Sequence, residues 1–205
     1  MKFVELGAGN RMRTSATIPS MLAACLLAVA CHAGQPPDDA AILAQVLHNP
    51  NTNGDFTVVA PLTTLSMIAS TPEELANTRK YVRENLNAPN EQIDRLLAIL
   101  IRKNEKPVRL ELSSSRENGY VVDDDGKFDD YFKDEGGGWK RWYKENPRAR
   151  GYTSVSLPAH DPVSDLILVY KGTQSDWLSG AGYLILYKYM DGRLEELGRV
   201  MLWVS

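Results

Sequence analysis

Three kinds of residue in this chain have the types and spacing for chemistry. A serine stands among glycines in Trp177-Leu178-Ser179-Gly180-Ala181-Gly182, histidines occur beyond residue 33 at His48 and His160, and an acidic run extends from Asp123 to Asp130. A nucleophile elbow needs glycine two residues before and two after its serine, because the strained turn leaves no room for a side chain. Around Ser179 those positions are Trp177 and Ala181. A dinucleotide loop starting at Gly180 and Gly182 would need its third glycine where Ile185 stands, and the alternation that follows reads as a strand instead of a helix. The expectation is therefore a glycine-permitted turn or bulge leading into a strand. Asp176, Trp177, Ser179 and Tyr183 remain as candidate binding residues around it.

His48 sits at a predicted helix end and His160 in a predicted loop between Pro158 and Pro162. Nothing pairs them at metal-ligand spacing, and no metal site is expected. Placing Gly126 at the invariant glycine of a calcium loop puts Val121 and Phe132 at positions that must be ligands. The acidic run is read instead as a solvated turn whose aspartates cap the following helix. No cofactor motif is present in the sequence and no cofactor is expected. Trp139, Trp142 and Tyr143 recur at helical spacing and are assigned to a core, with Trp177 more exposed.

These residues need elements to hold them. At 205 residues and 43% hydrophobic, the chain is long enough for a domain with its own core. Arg11 and Arg13 precede an apolar run, Met21 to Ala30, which is followed by small residues, the pattern of an export signal. The expected organisation is a signal peptide over 1–33 and a single globular domain over 34–205, its first residues 34–39 a flexible tether. Residues 1–33 hold Lys2, Arg11 and Arg13 against Glu5, a net +2, so the chain's −3 leaves −5 for the remainder. An acidic body has no electrostatic basis for binding nucleic acid or an anionic membrane. The chain's two cysteines, Cys25 and Cys31, fall in the signal region, which leaves no thiol for catalysis, zinc or a disulfide beyond it. Cys31 is a candidate lipid-attachment site, the one membrane connection the sequence offers.

Helices are predicted from Ala40 to His48 behind Asp38 and Asp39, after the capping box Thr71-Pro72-Glu73-Glu74, and through Ile93, Leu96, Leu97, Leu100 and Ile101. Strands are expected at Phe56–Ala60, at Val108–Leu112 with Tyr120–Val122 as its partner, and at Tyr152–Leu157, Asp165–Lys171, Gly182–Met190 and Arg193–Val204. Asp191-Gly192 signals a type I′ hairpin between the last two. The fold class is α+β, with N-terminal helices and short strands packed on a C-terminal antiparallel β-meander.

Gly138-Trp139 to Tyr143, Asn146-Pro147, Gly151 to Leu157, Leu166 to Tyr170, Trp177 to Tyr183 and the ending Val200-Met201-Leu202-Trp203-Val204-Ser205 together resemble a widespread family of uncharacterised secreted bacterial proteins. Members carry a Trp-x-x-Gly-x-Gly-Tyr turn and a final Val-x-x-Trp-x-Ser. The likeness covers about the last third of the chain and departs at Leu157-Pro158-Ala159-His160. It implies an exported α+β protein and transfers no catalytic residue. The expected function is an exported, non-enzymatic, periplasmic or secreted protein that binds a protein partner, one form being an immunity or inhibitor protein against a toxin or wall-degrading enzyme. The alternative is a periplasmic hydrolase or small-ligand binder using a cleft near Trp177.

Overall fold

The computed structural model describes residues 38–49, 53–65, 71–133 and 138–205. The expected signal, Cys31 and most of the tether lie outside these residues. Among these residues, helices α1 (Asp39–Leu47), α2 (Pro72–Asn85), α3 (Asn90–Lys103) and α4 (Gly138–Glu145) accompany a mixed sheet of seven strands. The strands are β1 (Phe56–Val59), β2 (Tyr120–Val122), β3 (Ala149–Val155), β4 (Ala159–Asp161), β5 (Leu166–Asp176), β6 (Ser179–Met190) and β7 (Arg193–Val204). Their order is β2-β1-β3-β5-β6-β7, with β4 also paired to β5. β1 runs parallel to both neighbours, and β5, β6 and β7 form the antiparallel meander. The architecture is α+β. No helix among the described residues is long and apolar enough to cross a membrane.

Local chemistry explains the element ends. The Asp38 carboxylate accepts from Ala41 N at 2.6 Å and starts α1. At α2 the capping box closes both ways, with Glu74 N donating to Thr71 Oγ1 (3.2 Å) and Thr71 N to Glu74 Oε2 (3.0 Å). Asp191 and Gly192 both take positive φ, 51° and 80°, as a type I′ turn between β6 and β7 requires.

The sheet is covered on both faces. On one, α2 and α3 bury Val82, Leu86, Ile93, Leu96, Leu97 and Leu100 against Leu168, Tyr170, Leu184, Leu186 and Val200. The Arg83 guanidinium grips Asp94 to join the two helices, and Arg95 reaches buried Asp161 on β4 at 3.1 Å. On the other face α1 places Ile42, Leu43, Val46 and Leu47 on Val59, Val155, Ile167, Val169 and Ile185. The Gln45 side chain fixes the far end of α1 like a short strand, accepting from Leu194 N (3.0 Å) and donating to Gly192 O (3.2 Å).

One expected strand is absent. Residues 108–112 make a single bridge, Arg109 to Leu62, and Tyr120–Val122 pairs with β1 instead. Of the face the alternation predicted to be buried, Leu110 is buried and Leu112 half-buried, while Val108 is exposed, and the strand partner was another segment. His160, expected in a loop, lies on β4.

Candidate functional site

The four sequence candidates do not converge. Asp176 and Ser179 pair across the end of the β5–β6 hairpin, and Trp177-Leu178 form its two-residue tip. The Asp176 carboxylate accepts from Trp177 N at 2.7 Å. The Ser179 hydroxyl lies 2.9 Å from that of Ser175, which also donates to Ser179 O at 3.0 Å, so this serine serves the turn. Trp177 is 64% exposed and Leu178 86%. Tyr183 lies farther along β6 and lines a concavity on the α1 face of the sheet that the other three do not border.

Trp177 is mounted firmly despite its exposure. Its ring meets Phe132 edge-to-face at 5.3 Å, and Phe132 belongs to an aromatic cluster with Phe128, Trp139, Trp142, Tyr143 and Tyr152. Phe128 stacks on Tyr152 at 3.7 Å, and Trp139 and Trp142 are buried, as helical spacing predicted. Tyr143 donates to Ser175 O at 2.7 Å, tying α4 to the root of the tip. The acidic run does what a capping turn does: Asp123 accepts from Lys127 N and Phe128 N, both at 3.0 Å, and so positions Phe128.

The glycines belong to the strand, not to the turn. Gly180 and Gly182 lie in β6 and pair with Gln174 and Gly172 of β5. Trp203 of β7 lies across Gly172, Gly180 and Gly182, and a Cβ on Gly182 would overlap the indole at Nε1. The Trp203 N–H donates to the Tyr170 hydroxyl at 2.9 Å. Three glycines on one face of the hairpin thus make a trough for one tryptophan, the close approach that glycine alone permits.

On the opposite face, sequence reasoning missed Lys171, Thr173, Glu196 and Arg199. They border a concavity of about 420 Å³ with Tyr183 and Tyr187, beside the last turn of α1. Lys171 stands on β5 two residues after Val169 and points to the same face, and its Nζ donates to Val46 O at 3.1 Å. Burial pulls this ammonium below the usual lysine range, and nearby Arg199 lowers it further. Glu196 holds Arg199 in a two-pronged pair, both bonds 2.7 Å, with the guanidinium 5.6 Å above the Tyr183 ring. Burial pushes the Tyr187 hydroxyl up to about 12, with Glu196 adding to it. A smaller recess of about 160 Å³ shares Lys171 and Thr173 and extends to Arg150, which Asp55 pairs. The one signal available in the sequence was a lysine in phase with Ile167 and Val169.

The hydroxyls of Thr57, Thr153 and Thr173 form a chain across β1, β3 and β5, with links of 2.9 and 2.8 Å. Thr57 donates to Gly151 O at 3.2 Å. Each hydroxyl has one proton, so the chain runs Thr173 to Thr153 to Thr57 and leaves the Thr173 oxygen as an acceptor. Among the described residues no group of three or more His, Cys, Asp and Glu side chains is placed to hold a metal ion. No protein family, curated protein or solved structure matches this chain.

Proposed function

We propose that this chain is exported and works by binding a protein partner through the tip of the β5–β6 hairpin, as an immunity or inhibitor protein does. The observation that carries the reading is the adjacent pair Trp177 and Leu178, 64% and 86% exposed, on a mount that already fixes the tryptophan. A preorganised tryptophan loses little conformational freedom when a partner covers it, and tryptophan is among the residues that dominate interface hot spots, with Leu178 extending the apolar contact beside it. Export rests on the arginines and apolar run that begin the sequence, and on the likeness of the last third to secreted proteins.

A photo-crosslinking amino acid at position 178 tests this in cells, with position 163 as control because Val163 is equally bare at 84%. The expected result is one discrete protein adduct from 178 and none from 163, in the periplasmic fraction. No adduct from 178, or the same adducts from both positions, overturns the reading. With the partner in hand, Trp177→Ala should weaken binding roughly thirtyfold, about 2 kcal/mol.

A further inference from the structure

We propose that the concavity beside the end of α1 binds a small aromatic carboxylate that carries a second hydrogen-bond donor, with Lys171 taking the carboxylate and Tyr183 and Tyr187 flanking the ring. This site is separate from the hairpin tip and does not depend on it. Arg199 is satisfied by Glu196 and Arg150 by Asp55, but no carboxylate among the described residues pairs with Lys171. A half-buried ammonium with three donors and, among the described residues, one acceptor, the Val46 carbonyl, leaves two donors for a ligand.

The surroundings select the kind of anion. α1 presents its C-terminal, electronegative end to the site, and Glu196 stands across it. Both disfavour a phosphate dianion, whereas a monoanion matches the single uncompensated charge. Tyr183, Ile185 and Tyr187 supply the apolar, flat part of the floor, and about 420 Å³ falls in the range of small-ligand pockets. The Thr173 oxygen, left as an acceptor by the direction of its hydroxyl chain, answers a hydroxyl or N–H on the ligand.

The test is a nitrogen-edited NMR titration of the purified protein with 4-hydroxybenzoate, its neutral counterpart 4-hydroxybenzamide, and inorganic phosphate. The expected result is saturable shifts at Lys171, Thr173 and Tyr183 with 4-hydroxybenzoate, affinity about tenfold weaker with the amide, and a similar loss in Lys171→Met. The Trp203 indole signal reports that the variant is folded. Should that variant not fold, the wild-type Lys171 side-chain resonance serves: it should titrate at higher pH with 4-hydroxybenzoate bound than without. Trp177→Ala should bind the probe as the wild type does, which separates this site from the tip. No saturation by about 20 mM, equal affinity in Lys171→Met, an unmoved Lys171 titration, or preference for phosphate overturns the proposal.

Discussion

The two faces of the β5–β6 hairpin are made from alternate residues of the same strands and end in opposite states. Tyr170 and Gly172 of β5 and Gly180 and Gly182 of β6 face Trp203, on a side so full that one added Cβ collides with the indole. Lys171 and Thr173 of β5 and Ala181 and Tyr183 of β6 face a concavity of about 420 Å³. On the closed face the polar groups answer each other, the Trp203 N–H to the Tyr170 oxygen. On the open face a lysine stands in line with buried Ile167 and Val169, where desolvation works against its charge. A residue that departs from what its strand position favours for stability is the kind retained at binding sites. The closed face specifies the structure, and the open face holds the chemistry.

The closed face is most sensitive at Gly182. Gly182→Ala should expel Trp203 from its trough and lower stability by about 3 kcal/mol, since overpacking and loss of a packed tryptophan both contribute. Urea denaturation followed by tryptophan fluorescence measures this. In a Trp203→Ala background the same change should cost far less, because nothing remains to collide with. Additive effects in that double-mutant cycle would show that the trough is not what requires the glycine. Tyr170→Phe is a milder probe of the same face. It leaves the indole N–H without its acceptor and should cost about 1 kcal/mol, read from the same curves.

How legible this was in the sequence depended on the range of the cause. The Thr71 and Glu74 capping box, the Asp191-Gly192 turn and the limits of β7 follow from residues within a few positions, and the structure has all three. Val108 to Leu112 alternates as a strand should, yet alternation does not name a partner, and of its apolar residues Leu110 is buried while Val108 is exposed. The edge of β1 is taken by β2, and one bridge is all that segment makes. The glycines after Ser179 looked like a turn because their true cause, Trp203, lies 21 residues beyond Gly182. Trp177 could be placed at a turn, but its mount on Phe132 depends on a separate segment of the chain. Lys171 was passed over as the end of an apolar strand. Only the arrival of α1, about 125 residues earlier in sequence, turns its position into the wall of a cavity.

The open face should respond with the opposite sign. Lys171→Met replaces a desolvated ammonium by an apolar chain of similar length, and removes one bond to the Val46 carbonyl at the end of α1. Stability should stay equal or rise by up to about 1 kcal/mol in urea denaturation at neutral pH. A loss of more than about 1 kcal/mol would make Lys171 a structural cap of α1, and the two faces would then do the same work.

The pH dependence of that difference is the finest test. The groups around Lys171 are Arg199, Glu196, Tyr183, Tyr187 and His48. The folded-state pKa of Lys171 lies below its unfolded value, so around the folded pKa the unfolded chain binds more protons and stability rises with pH. The penalty is therefore complete below the folded pKa and fades as pH climbs toward the ordinary lysine value of about 10.4. Tyrosine works the other way: Tyr187, raised by burial, contributes stability that is lost as alkaline pH ionises the unfolded chain first. Comparing wild type with Lys171→Met removes most of this background, because both proteins keep the same tyrosines. The stability gap between them should narrow from neutral pH to about pH 10, and a gap that holds constant would mean that the Lys171 charge is not desolvated.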